Sequence, residues 1–169
     1  MTDQHQFKRA MRRLAAGVSI ITTNEAGQLH GFAATSVTSV SAEPTPILLV
    51  CVSKTVSCHD QILRSERFCV NVLSESDAET ARLFSSAQNR LRRFELCEWE
   101  PLVTGAPALT CALANFDCRI QRILDVQSHS VLFGEVIEIR IRGDEVHPLV
   151  YVNGRFGGLR SSAPACAGV

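Results

Sequence analysis

The sequence predicts a mainly β protein: an antiparallel barrel with a few short helices around its periphery. Three observations carry that expectation. About seven runs have strand character, either alternating or continuously apolar. Only three segments show helical spacing, and all are short. Strands and helices do not alternate regularly, which argues against a doubly wound parallel sheet. At 169 residues the chain reads as one domain, residues 1–160, with a disordered tail at 161–169.

Asp3-Gln4-His5-Gln6 has the form of a capping box. Phe7, Met11, Leu14 and Ala15 then mark one helical stripe, and Gly17 should stop it. Val18 to Thr23 alternates as a strand, Asn24-Glu25-Ala26-Gly27 is its hairpin turn, and Gln28 to Ser41 is the return strand, bent near its small residues. Ser41 to Pro46 holds two prolines and cannot be a central strand. Ile47 to Val52 is continuously apolar, hence a strand covered on both faces. A short helix over His59 to Arg64 and a buried strand over Phe68 to Leu73 follow, with Asn71 as that strand's polar interruption. Ser76-Asp77-Ala78-Glu79 reads as a second capping box, opening a helix through Leu83. Residues 85 to 98 are charged and irregular. After a turn at Gly105-Ala106-Pro107, long strands run from Leu109 to Val126 and from Ser130 to Arg142. Leu149 to Val152 is the last strand and Gly154 to Gly158 the last turn.

Formal net charge is zero, so the overall field gives no reason to expect nucleic acid or an anionic membrane. The N-terminus reads as an amphipathic helix rather than a signal peptide, and no apolar run approaches membrane-spanning length. A cytoplasmic protein is the expectation. The seven cysteines form no C-x-x-C pair and no zinc spacing, and His30, His59 and His147 lack ligand spacing, so no metal site is expected. Cys51, Cys69 and Cys118 lie in apolar or alternating runs and are read as small buried hydrophobes, whereas Cys166 should be exposed.

Residues 31 to 59 are the most informative stretch. Gly31 to Ser41 carries five hydroxyls among small and branched residues, Pro46 to Val52 is an apolar strand, and Ser53 to His59 is a hydroxyl-rich turn with one cation. Together they make a seat for a flat apolar ring with a phosphate tail: ladder amides and small side chains approach the ring, while Ser, Thr, Lys and helix-terminal N–H groups take the phosphate. Neither a Rossmann nor a P-loop fingerprint occurs. Taken alone, a Ser/Thr-rich strand is more often a solvated barrel face.

Over roughly residues 7 to 159 the chain resembles the flavin reductase-like, FMN-binding split-barrel proteins. The likeness rests on Gly17 to Thr23, Gly31 to Ser41, Val70 to Leu73, Arg93-Phe94 and Gly105 to Leu109. It continues through Phe116-Asp117-Cys118-Arg119, His129 to Val136 and Pro148-Leu149-Val150-Tyr151. Each motif is weak alone; their order and spacing make the combination specific. The resemblance implies a Greek-key split β-barrel, a homodimer, and hydride transfer from NADH (or NADPH) to FMN (or FAD). Many members supply reduced flavin to a separate monooxygenase.

Carried over by position, Ala34, Thr35 and Ser36 contact the isoalloxazine ring, Cys51, Val52 and Ser53 line it from the next strand, and Lys54, Thr55 and Ser57 hold the phosphate. Phe84 and Arg93 fall near the flavin tail, although a lone Arg in a charged loop is otherwise usually solvated. His129 lies where the family places a histidine near the nicotinamide; here Gln127-Ser128 replaces the usual Gly-Asp before it. Arg155-Phe156 matches a position where an aromatic covers the nicotinamide side; a Phe stacks but donates no hydrogen bond. His59 is a second reach toward the phosphate. No Ser–His–Asp, Cys–His or paired-carboxylate arrangement is evident, as expected where cofactors carry the chemistry. Two other readings stay open: a flavoprotein that keeps its flavin and reduces a cobalt corrin or another acceptor, and a flavin- or haem-binding module without turnover.

Overall fold

The computed structural model describes residues 3–159, apart from Ala87, Asn89, Asp144 and the side chain of Leu91. The expected tail and Cys166 lie outside the described residues. Helix α1 (Gln4–Met11) leads into β1 (Ala16–Gly17), β2 (Ser19–Glu25), β3 (Gln28–Ala34), β4 (Val37–Ser41) and β5 (Ile47–Ser53). Helix α2 (His59–Ser65) precedes β6 (Arg67–Val72), and α3 (Ala78–Ser85) follows a 3-10 turn at Glu75–Asp77. Then come β7 (Trp99–Pro101), β8 (Pro107–Leu109), the long hairpin of β9 (Ala114–Val126) and β10 (His129–Ile141), and the short β11 (Val150–Val152) and β12 (Arg155–Gly157).

Seven strands form one sheet in the order β3-β2-β6-β9-β10-β5-β4, every neighbouring pair antiparallel. Its two edge strands, β3 and β4, are joined by only Thr35 and Ser36. Laid flat, seven strands would be about 29 Å wide, whereas a two-residue link spans about 11 Å at most. The sheet must therefore curl until its edges nearly meet, and the seam falls at Thr35-Ser36. This is the expected barrel, and the bend expected within 28–41 is its closure.

The inside of the curl holds Ile21, Val50, Val52, Phe68, Val70 and Leu132 beside Ile62 of α2. A second cluster, with Ile20, Leu73, Phe84, Leu109 and Leu149, lies on the opposite face of β2. Consecutive side chains on a strand point to opposite faces, so Ile20 and Ile21, each fully buried, tie the two cores together. Gly134 lets the Phe68 ring approach β10 closely: a Cβ there would collide with that ring.

Asn71 does more than interrupt β6. Its amide donates to the Ile20 carbonyl at 2.9 Å, while its Oδ1 accepts from the Leu109 N–H at 2.7 Å and from Asn115 Nδ2 at 2.8 Å. That hub explains why the long strand expected from Leu109 is two pieces, β8 and β9. The chain turns at residues 110–113 so that both can reach one buried amide.

Other boundaries shift for local reasons. Helix α1 stops at Met11 rather than at Gly17, because the Arg12 carbonyl accepts from Asn153 N–H at 2.7 Å and Ala16-Gly17 joins β11 as a strand. The capping box before α3 begins at Ser74, whose N–H and hydroxyl both donate to Asp77 at 2.8 and 2.7 Å, not at Ser76. The last turn contains β12, made by Asn153 and Gly154 at φ 50° and 81°. Cys69 and Cys118 are fully buried, as expected of small hydrophobes, but Cys51 is only half-buried, at the open end of β5.

Candidate functional site

The expected site residues fall into three adjoining groups. The first is a corner where β4, β5 and β10 end together. Register places His129 opposite Ser53 and Val131 opposite Cys51. Ser36 bridges from the seam: its hydroxyl donates to the Cys51 carbonyl at 3.0 Å, and its own carbonyl accepts from Cys51 N–H at 3.4 Å. Lys54 N–H donates to the Ser128 carbonyl at 2.9 Å, pinning the turn after β5 onto the β9–β10 hairpin. The Ser53 and Thr55 hydroxyls lie 2.9 Å apart, and the Lys54 ammonium is 3.4 Å from Asp125. His129 is exposed, its Nδ1 2.9 Å from the Ser128 hydroxyl.

Strand periodicity corrects one member of this group. Cys51 and Ser53 share the outer face with His129, so Val52 must point the other way. It is fully buried in the barrel core and offers the corner only its backbone.

The second group lines a cleft of 390 Å³ across the seam. Ala34 and Thr35 form one wall, Tyr151 and Phe156 another, and Arg82 with Ser85 and Ser86 of the α3 end a third. Tyr151 and Phe156 pack with ring centroids 5.3 Å apart, and the Arg82 guanidinium sits 5.7 Å above the Phe156 ring. Arg155 is exposed beside them on β12. Thr35, Ser36 and Tyr151 also border a hollow of 650 Å³ whose far side is Phe7, Met11 and Leu14 of the first helical segment. Those three side chains are 59%, 47% and 62% exposed, so the apolar stripe of this segment is left largely uncovered by the described residues.

The third group is a hollow of 40 Å³ bordered by Ser57, Cys58, His30, Arg90 and Arg93. Burial lowers the affinity of His30 for its proton, and its Nε2 has no hydrogen-bond partner among the described residues. Burial pushes the Cys58 thiol up to about 11, so it stays protonated at neutral pH.

Two expected residues are committed to the structure itself. Arg93 is buried and donates to three carbonyls: Gly31 at 2.7 Å, Ser86 at 2.7 Å and Leu83 at 3.3 Å. It fastens the loop after α3 to the edge of β3. Phe84 is 1% exposed, packed against Phe94 and Trp99 at centroid distances of 5.3 and 5.6 Å, and can face a ligand only if that cluster opens.

Sequence reasoning missed Arg82, Ser130 and Asp125. Ser130 had a legible signal: with Leu132, Gly134 and Val136 it occupies the buried phase of β10. A hydroxyl in that phase must find internal partners. It lies 3.0 Å from His59 Nε2 and donates to Asp125 at 2.8 Å, while His59 Nδ1 is 2.8 Å from Asp60. Asp60 and His59 of α2 thus line up with Ser130, which β10 brings in from far along the chain. Arg82 and Asp125 left no such signal, because their roles depend on which strands become neighbours.

With the geometry in view, similarity to known proteins is informative. The family model of the flavin reductase-like domain matches residues 11–160. The FMN reductase (NADH) RutF of Pantoea ananatis is 38% identical over 154 residues, covering 91% of this chain and 80% of that protein. The nitrilotriacetate monooxygenase component B homologue from Mycobacterium thermoresistibile superposes with TM-score 0.88 at 32% identity, over 96% of this chain and 91% of that one. BorF, the flavin reductase component of a bacterial two-component tryptophan halogenase, gives TM-score 0.84 at 31% identity, over 94% and 99%. No helix among the described residues is long and apolar enough to cross a membrane. On the strength of a match across nearly the whole barrel, the chain belongs to the flavin reductase-like domain family.

Proposed function

We propose that this protein is an NADH-dependent flavin reductase that passes electrons to FMN and releases reduced flavin to a partner oxygenase. The observation that carries the reading is the seam. Thr35 and Ser36 join the two sheet edges, so their backbone groups are not used up in a ladder on both sides, and small side chains leave room for a flat ring. Within reach stand the hydroxyls of Ser53 and Thr55 and the Lys54 ammonium, a donor set suited to a phosphate. The residues present therefore fit a phosphorylated flavin. The relatives named as FMN reductases and as reductase components of two-component systems support the same reading.

When bound, the nicotinamide and flavin rings supply the chemistry, a hydride passing between them. The chain's own part is alignment and exclusion of water. Ala34, Thr35 and Ser36 seat the ring, Cys51 and Ser53 border it, and Lys54, Thr55 and Ser57 hold its anionic end. His129, exposed on the same strand face as Ser53, orients the nicotinamide carboxamide. Phe156, backed by Tyr151 and Arg82, covers the nicotinamide side. FAD and NADPH are alternative substrates within this reading.

A homodimer belongs to the same proposal. The stripe of Phe7, Met11 and Leu14, exposed among the described residues, borders the hollow beside Thr35 and Ser36, so a second copy seated there would bury it and enclose the ring site. Purified protein mixed with NADH and FMN should consume nicotinamide absorbance at once. Absence of turnover with either pyridine nucleotide and either flavin would overturn the reading in favour of a binding module. Sedimentation as a monomer at micromolar concentration would remove the enclosed-site component.

A further inference from the structure

The Asp60–His59–Ser130 arrangement has hydrolase-like spacing, yet Ser130 is no nucleophile. It is fully buried, and its single hydroxyl proton is given to Asp125 at 2.8 Å. That commitment sets the direction of the next contact. With its hydrogen on Asp125, Ser130 can only accept from His59, so Nε2 must carry a proton. On its other side, Nδ1 faces the Asp60 carboxylate at 2.8 Å. The contacts run from Asp60 through His59, Ser130 and Asp125 to Lys54.

Its far end is the phosphate corner. Asp125 and Ser130 are cross-strand partners, and Asp125 Oδ1 accepts from Ser130 while lying 3.4 Å from the Lys54 ammonium. The geometry points to His59 and Ser130 as positioning residues for Lys54, which aim its ammonium through Asp125 so that the site favours flavins carrying a phosphate. The inference rests on the flavin reading above. The groups around His59 are Asp60 on its own helix, Ser130 on β10, Asp125 on β9 and Lys54 after β5.

Two physical consequences follow from the chain. A lysine side chain held in place before the ligand arrives loses less conformational freedom on binding. The pairing with Asp125 uses only part of the three-proton ammonium, leaving donors for a phosphate. Because the Ser130 hydroxyl donates to the Asp125 carboxylate, that carboxylate cancels less of the Lys54 charge. The Ser130 hydroxyl, and after it the Lys54 charge, hold the Asp125 carboxyl below its usual range, as this chain requires.

The test is the ratio of riboflavin to FMN dissociation constants, which isolates the phosphate. Ser130→Thr keeps the hydroxyl and should keep the ratio. Ser130→Val has nearly the same shape without it and should lower the ratio about fivefold, with riboflavin affinity unchanged. His59→Phe, which leaves β10 untouched, should act like Ser130→Val and serves if the valine variant folds poorly. Ratios equal to the parent in both Ser130→Val and His59→Phe would overturn the inference. Failure of the parent protein to bind either flavin would instead overturn the flavin reading itself, so the two failures are distinguishable.

Discussion

Two polar clusters of this barrel use similar side chains to opposite ends. Around Asn71, Thr22 and Asn115 the side-chain amides and hydroxyl bond to one another and to buried backbone: Asn71 alone serves β2, β9 and the end of β8. Around Ser53, Lys54 and His129 the groups are exposed or half-exposed and have capacity to spare. Arg93 and Lys54 repeat the contrast. Arg93 is buried with three carbonyls on its guanidinium; Lys54 stands at the surface with one carboxylate partner. A buried polar group left unpaired is costly, so a closed cluster specifies architecture. A cluster that retains donors at the end of a strand specifies a ligand.

Breaking the closed cluster should give the largest effect. Asn71→Leu strands the Leu109 N–H and Ile20 carbonyl in the core and should cost about 3 kcal/mol of stability, read from denaturant unfolding. Arg93→Met leaves the Gly31 and Ser86 carbonyls unanswered and should cost about 2 kcal/mol. It should weaken flavin binding only through disorder of the loop after α3. If Arg93→Met abolishes FMN binding with stability intact, Arg93 belongs with Lys54, and the contrast drawn here fails.

On the open side, His129→Ala should raise the Michaelis constant for NADH about tenfold, roughly 1.4 kcal/mol, with flavin affinity nearly unchanged. Parent-like NADH kinetics would remove His129 from the mechanism. The smallest effect is a pH dependence. Asp125 has its carboxyl lowered on folding, so its stabilising contribution is present above the ordinary carboxylate range and is lost as pH falls through the lowered value. Asp125→Asn should flatten the fall in unfolding midpoint below about pH 4; an unchanged profile would mean that this carboxylate is free in solution.

The same contrast explains what could be read from the sequence. Strands were legible where a side chain's fate depends on its neighbours along the chain: the 47–52 and 68–73 runs, the Asn24–Gly27 turn and the β9–β10 hairpin all lie where alternation and turn residues put them. Long-range commitments were not. Nothing local says that Asn71 will split the strand after Leu109, or that Asn153 will hold the Arg12 carbonyl and end α1 early. At the site, hydroxyls and the lysine were found because they cluster in sequence, at 53–57. Arg82 and the His59–Ser130–Asp125 path were missed because they exist only once β5, β9 and β10 stand side by side. Val52 was placed on the ring although the alternation that exposes Cys51 and Ser53 turns it inward.

The central claim is that the ring rests at the Thr35–Ser36 seam while Lys54 takes the phosphate. Calorimetric titration of the parent protein and of Lys54→Met with FMN and with riboflavin tests it most directly. The parent should bind FMN at least about tenfold more tightly than riboflavin, and Lys54→Met should lose most of that advantage while binding riboflavin as before. An FMN advantage that survives loss of the ammonium would contradict the assignment, and the phosphate would have to be sought elsewhere.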